Sequence, residues 1–154
     1  MFHKNRRLIA LLFLFVPCFA FAQKYSFKNF SIEQGLPQAY IYSMFQNPEG
    51  YLIVSTGKGN VSFNGTDFKP LLTPNLAAED FVTASFIDQT GSIWFGCFSG
   101  TILVLSGNNE SKMVYKAASS ISHFCESKNG LVVASTRSSG LDAIDNSKFS
   151  AQAI

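Results

Sequence analysis

Asp88-Gln-Thr-Gly-Ser-Ile-Trp-Phe-Gly-Cys-Phe-Ser-Gly100 decides the fold. It reads as a tight turn, a short apolar run and a second glycine turn, and the apolar run Thr101 to Leu105 follows. Turn residues bracketing short β-rich runs predict a hairpin. The same phrase stands upstream as Asn47-Pro-Glu-Gly-Tyr-Leu-Ile-Val-Ser-Thr-Gly-Lys-Gly59, followed by Asn60 to Phe63. Downstream it is Ser127-Lys-Asn-Gly-Leu-Val-Val-Ala-Ser-Thr-Arg-Ser-Ser-Gly140, followed by Leu141 to Ile144. The turn glycines Gly50, Gly91 and Gly130 are spaced by 41 and 39 residues. A period of about 40 residues in an all-β pattern marks propeller blades, because one small sheet needs neighbours to bury its faces.

The copies stay in register beyond the turn. Ile41 and Val82 each lie nine residues before their turn glycine, and Phe45, Phe86 and Cys125 each lie five before it. Gly59 and Gly100 lie nine after it, whereas Gly140 lies ten after, a one-residue insertion in the third copy. Tyr40 to Phe45 and Phe81 to Ile87 read as equivalent first strands. Phe68 to Leu72, after the hairpin signal Asn64-Gly65, and Met113 to Ala117 read as fourth strands. In the third copy that strand would begin near Phe149. The expected fold is all-β: about three four-stranded propeller-type blades, an incomplete propeller over residues 23–154, with repeats near 36–72, 76–117 and 118–154. An open β-sandwich explains the strands and turns equally well, but not the matched offsets. Gln23 to Phe30, with Tyr25, Phe27 and Phe30 spaced among polar residues, is expected as an edge strand able to latch a ring.

Residues 1–22 read as a signal peptide. His3-Lys-Asn-Arg-Arg7 is a basic start, Leu8 to Val16 is unbroken apolar sequence, and Ala20-Phe21-Ala22 fits the small-x-small cleavage rule. The apolar stretch Leu8 to Ala22 has 15 residues and contains Pro17, short of the ~20 that a spanning helix needs. Cys18 follows Pro17, with Phe15 three before it, which is not a lipoprotein pattern. The mature chain, with no membrane span, is expected in the periplasm or secreted.

Composition narrows the function classes. The 154 residues are 47% hydrophobic, 14% aromatic and only 14% charged, so the chain is not a disordered tail. Lys4, Arg6 and Arg7 account for the positive balance: without them nine basic residues face ten acidic ones, a net −1. The remaining Lys and Arg are scattered singly, whereas nucleic acid needs them clustered. Cys97, Cys125 and His123 are too irregularly placed for a zinc site, and neither a metal nor a cofactor is expected. Export permits a disulfide, but nothing in the sequence brings Cys97 and Cys125 together, and both are expected as buried small side chains. Ser55-Thr-Gly-Lys-Gly59 lacks phosphate-loop spacing and reads as a blade turn. The sequons at Asn29, Asn60, Asn64 and Asn109 are not expected to carry glycans in an exported bacterial protein.

The opening Ser31-Ile-Glu-Gln-Gly-Leu-Pro-Gln38, then Ile41, Phe45, the Gly50 turn, Ser55-Thr-Gly-Lys-Gly59 and Phe63-Asn-Gly65, resembles the two-component regulator propeller family. That family begins with a Gly-Leu-Pro loop and repeats an Asp-x-x-Gly-x-x-Trp-x-Gly-Thr phrase. The resemblance covers residues 25–150. Its Trp is kept only as Trp94, with Ile53 and Val133 as equivalents. Its Asp is kept as Asp88, with Asn47 and Ser127 as equivalents, and its Gly-Thr pair becomes Ser55-Thr56, Gly96-Cys97 and Ser135-Thr136. The resemblance implies a periplasmic sensor propeller whose parent carries a membrane helix and a histidine kinase, and it implies a glycan-derived or other small ligand. Propellers close with about four to eight blades, so the chain is expected as the N-terminal fragment of a longer sensor. Its partners would be further blades or copies of itself.

Catalysis is not expected. The turn Asp88 to Gly91 spaces its ends three apart, unlike the two of sialidase Asp boxes. Most acids, such as Glu49, Asp67, Asp88 and Glu126, fall in turns rather than in convergent pairs. Trp94 reads as packing between blades. Tyr40 and Tyr42, at the start of an inner strand, are the candidate ligand contacts. An extracytoplasmic scaffold or binding propeller without signalling is the alternative reading. Amino-terminal sequencing of the exported product should begin at Gln23; an uncut Met1, or a lipid on Cys18, would refute the signal assignment.

Overall fold

The computed structural model describes residues 25–106 and 111–145. They form three antiparallel sheets, each laid down in chain order. The first contains β1 (Ile41–Gln46), β2 (Leu52–Thr56), β3 (Gly59–Phe63) and β4 (Phe68–Leu71). The second contains β5 (Val82–Ile87), β6 (Ile93–Cys97), β7 (Thr101–Leu105) and β8 (Ser111–Lys116). The third contains β9 (Ile121–Glu126), β10 (Leu131–Thr136) and β11 (Leu141–Asp145). The fourth strand expected near Phe149, like the signal peptide at 1–22, lies outside the described residues. Three such sheets resemble propeller blades.

One turn, made three times, closes the first hairpin of every sheet. The glycine N–H of Gly50, Gly91 and Gly130 donates to the carbonyl three residues back, at 3.0 Å in each case. These glycines have φ of 88°, 85° and 78°, a left-handed backbone that a side chain would strain. A side-chain oxygen at the head of each turn accepts an N–H four residues on: Asn47 from Tyr51 at 2.8 Å, Asp88 from Ser92 at 2.9 Å and Ser127 from Leu131 at 3.1 Å. Asp, Asn and Ser are therefore interchangeable here, because all three place an acceptor at the same spot.

Strand alternation gives each sheet two apolar faces. Ile53, Trp94 and Val133 occupy equivalent positions three after the turn glycine, and all point forward along the row. Ile53 packs with Phe95, Cys97, Leu103 and Leu105, the rear face of the second sheet. Trp94 and Ile102 pack with Ile121, Val132, Ala134 and Ile144, the rear face of the third. The expected role of Trp94 between blades is thus what the structure shows: the residue is fully buried. Gly96 leaves space that Ile121 fills, since a Cβ there would lie 2.5 Å from Ile121 Cγ2. The inner strands are also stitched by hydroxyls. Ser43 and Ser85 Oγ are 2.7 Å apart, and Thr83 Oγ1 donates to the Ile121 carbonyl at 2.6 Å.

The two ends of the row differ. The rear face of the first sheet, with Val54 and Val61, is covered by Leu36, which is 3% exposed. The loop that delivers Leu36 is a 3-10 turn at Ile32–Gln34, where Gln34 Oε1 accepts from the Ser31 N–H at 2.8 Å. Phe30 adds an edge contact to Phe63 at 4.7 Å. The forward face of the third sheet instead leaves Leu131, Leu141 and Cys125 exposed. Two expectations are corrected here. Tyr25 to Phe30 forms no strand; this part of the chain lies against the first sheet through the Phe30 ring, which meets Phe63 and Phe68. Cys125 is exposed rather than buried, because it sits on that open forward face.

Asp88 carries the centre of the stack. Its Oδ1 accepts from Thr90 N–H and Ser92 N–H, each at 2.9 Å, and from the Thr90 hydroxyl at 2.6 Å, while Oδ2 accepts from the Trp94 indole at 2.8 Å. Burial pushes the carboxyl pKa up, but these bonds from Thr90, Trp94 and Ser92 outweigh it and hold the pKa below its usual value. A lowered folded pKa adds stability above the unfolded pKa and loses it as pH falls through the folded value. Asp88→Ala should cost about 1–3 kcal/mol near neutral pH, since a buried indole N–H loses its acceptor. In urea denaturation the gap to the parent should shrink in strong acid. A gap unchanged with pH would show that Asp88 acts by shape rather than by charge.

Candidate functional site

The inner strands share one irregularity. β1 pairs regularly with β2 up to Ser43 opposite Ser55, then slips so that Ile41 meets Thr56 and Tyr42 is left unpaired. β5 slips in the same way at Thr83, between Val82 and Ala84. β9 slips at Ser122, between Ile121 and His123. A β-bulge adds one residue to a strand and re-aims its side chain. The three bulged residues each lie eight before their turn glycine.

These bulges open onto one end of the row. There a depression of about 370 Å³ is lined by Tyr40, Tyr42, Phe81, Thr83, Phe98, Ser120, Ile121, Ser122 and Arg137. The lining follows the repeat. Tyr40, Phe81 and Ser120 each lie ten before their turn glycine; Gly57, Phe98 and Arg137 each lie seven after it. Each sheet therefore offers the same three positions: the residue before the inner strand, the bulge, and the first residue of the turn after the second strand. Gly57 has no side chain to contribute. A Cβ there would fall 2.6 Å from Gln38 Oε1 and 3.5 Å from the Tyr42 ring, so the small residue lets both settle over the turn.

The backbone fixes the lip. Phe98 N–H donates to the Phe81 carbonyl at 2.9 Å, and Arg137 N–H donates to the Ser120 carbonyl at 2.8 Å. In the first and third sheets a threonine hydroxyl braces the turn: Thr56 Oγ1 donates to the Gly59 carbonyl at 2.8 Å, and Thr136 Oγ1 to the Gly140 carbonyl at 2.9 Å. The second sheet has Cys97 at that position and uses Asp80 instead. Asp80 Oδ1 accepts from Phe81 N–H at 3.0 Å and Ser99 N–H at 3.1 Å, and Lys116 Nζ donates to Ser99 Oγ at 2.9 Å. This network seats Phe81 and Phe98, whose rings stack at 5.0 Å and 15°.

The rings form a continuous wall. Tyr40 lies 4.6 Å from Tyr42, Tyr42 lies 4.9 Å from Phe81, and Phe81 stacks on Phe98. Tyr40 is 63% and Phe98 51% exposed, so the wall faces solvent instead of filling a core. The opposite side carries the polar groups, the hydroxyls of Ser120 and Ser122 and the Arg137 guanidinium, with Ile121 among them. The sequence-derived candidates Tyr40 and Tyr42 both stand in the aromatic wall. Phe81, Phe98, Ser120, Ser122 and Arg137 escaped sequence reasoning. Their signal was present, as equal offsets from the turn glycine in three copies.

A larger groove of about 480 Å³ lies between the hairpin turns of the first two sheets. Its walls include Ile53, Leu71, Ile87, Ile93 and Leu105, most of which belong to the inter-sheet core, so we assign it to packing. Among the described residues no group of three or more His, Cys, Asp or Glu is placed to hold a metal. No helix among them is long and apolar enough to cross a membrane.

No protein-family model matches the sequence, and no curated protein matches it. Solved structures do match the fold. One is the extracellular domain of what is described as the hybrid two component system BT4673 from B. thetaiotaomicron: TM-score 0.63, 24% identity, covering 76% of this chain. Another is the extracellular domain of what is described as the hybrid two component system BT3049 from the same organism, with TM-score 0.63, 17% identity and 82% of this chain covered. The chain spans only 16% and 20% of those two chains. Virginiamycin B lyase from Staphylococcus aureus matches at TM-score 0.51 and 14% identity, over 68% of this chain and 41% of that one. The fold is thus shared with extracellular domains of sensors and also with an enzyme.

The two described cysteines are both free. Burial, and then the charge of Asp80, push the Cys97 thiol up to about 12, against an opposing pull from Lys116. A thiol held protonated is a poor nucleophile. Brief alkylation of the folded protein should label Cys125 and spare Cys97 until denaturant is added, as read by peptide mass mapping. Equal labelling of both in the folded state would contradict the packing of the first sheet on the second.

Proposed function

We propose that the chain is part of the sensing propeller of an extracytoplasmic two-component signalling protein, and that it binds a small ligand without catalysis. The observation that carries this reading is the bulge-lined depression, on a fold shared with two extracellular domains of such systems. Each of three sheets gives it a side chain from the same bulge position. Tyr40 and Tyr42 would contact the ligand, glycan-derived or otherwise, since exposed rings offer flat faces to sugar and aromatic rings alike.

The signalling machinery would lie in a longer parent, and further blades, or copies of this chain, would complete the row. The exposed Leu131 and Leu141 on the third sheet support that continuation, because the equivalent faces of the first two sheets are covered by the next sheet in the row. A ligand touching three sheets could set the angles between them, which is a route from binding to a downstream kinase.

An antibody against residues 23–154 should detect, in cell-envelope fractions, a membrane-associated product much larger than 16.9 kDa. A small soluble band would sink the sensor reading and favour a free-standing extracytoplasmic binding propeller.

A further inference from the structure

The depression is chemically one-sided. Its first two sheets contribute four rings, Tyr40, Tyr42, Phe81 and Phe98, with Thr83 between them, and its third contributes Ser120, Ser122 and Arg137 around Ile121. Among the described residues of the lining Arg137 is the one that carries a charge. Among the described residues its side chain enters no hydrogen bond, ion pair or ring contact, although its backbone is anchored to Ser120 at 2.8 Å. A guanidinium on an anchored turn, beside two hydroxyls, is a fork for an oxyanion.

Resting on the reading of this depression as a ligand site, we infer that its ligand is a small ring compound carrying one anionic group. The anion meets Arg137 and the serine hydroxyls, while the ring lies on the wall of Tyr42, Phe81 and Phe98. The position of Arg137 sharpens the inference. Its equivalents are Gly57 and Phe98, so the structural task of that turn residue does not require a cation. A glycine and a phenylalanine stand there in the other two sheets, whose turns are one residue shorter, and the Arg137 side chain makes no contact with the described residues that would give its charge work inside the fold. A neutral ligand would leave the guanidinium without a partner. An anion without a ring would leave the wall bare. An acidic sugar and an aromatic carboxylate share the required chemistry.

The test is calorimetric titration of the whole chain with four probes: glucuronate against glucose, and benzoate against benzyl alcohol. At least one anionic probe should bind about tenfold or more tightly than its neutral partner, the scale of one charge-assisted hydrogen bond. Arg137→Gln should abolish that difference, and Arg137→Lys should keep part of it; circular dichroism should show both variants folded, since Arg137 is exposed. Equal binding of charged and neutral probes would overturn the anion assignment while leaving a ligand site in place. Undiminished preference in Arg137→Gln would overturn the role of Arg137. Binding of no probe by the folded chain would overturn the ligand site itself and the inference with it.

Discussion

The Trp94 indole donates to Asp88 across 2.8 Å in a place closed to solvent. That bond ties a local event to a distant one. The carboxylate that accepts it also organises the turn before β6, through the N–H groups of Thr90 and Ser92. The indole it satisfies lies in the seam between the second and third sheets. If the turn failed, a buried N–H would lose its partner at a cost of about 1–3 kcal/mol. The turn and the seam therefore form together. This explains a pattern across the copies: Asp heads the turn where Trp follows, while Asn47 and Ser127 precede Ile53 and Val133. Aliphatic side chains have no donor to satisfy, so any turn acceptor serves.

The seams decide how far the row holds. A repeat sheet with two apolar faces cannot bury them by itself and needs a neighbour on each side. The middle sheet is covered on both sides and contains the largest buried side chains, Trp94 and Phe95. The first sheet is covered at the rear by Leu36 and Phe30, from the loop that precedes β1. The Leu of the Gly-Leu-Pro opening is therefore a structural plug. Two polar atoms near the first seam, Ser55 Oγ and Asn60 Oδ1, are buried without a hydrogen-bond partner in the structure. At the Ser55 position the second sheet has Gly96, against which Ile121 packs directly. The seams are thus built to one plan with different tightness.

Much of this was legible in the sequence. The turn glycines, the acceptors at the turn heads and the strands between them follow from local chemistry that repeats, and repetition separates signal from accident. β7 runs over Thr101–Leu105, as the apolar run indicates, and the other strands differ by a residue or two at their ends. The site was less legible. Tyr40 and Tyr42 stand out as paired rings, but Phe81, Phe98 and Arg137 look like ordinary loop residues until the bulges bring them together. A bulge leaves no mark in the residue types: Tyr42, Thr83 and Ser122 share only an offset. Tyr25 to Phe30 misled because spaced aromatic residues fit a strand and also fit a segment that lies down through a ring.

The lip of the depression has a consequence for how this architecture changes over time. Its form is held by backbone bonds, Phe98 to Phe81 and Arg137 to Ser120, and by the bulges at Tyr42, Thr83 and Ser122, of which Thr83 also ties two sheets through its hydroxyl. Tyr, Thr and Ser already share one of its positions, and Gly, Phe and Arg another. None of these positions belongs to the buried apolar clusters between the sheets. Selection can therefore rewrite what is recognised one letter at a time, sheet by sheet, while the apolar clusters between the sheets stay as they are. Chains of this build can diverge fast in specificity and slowly in shape.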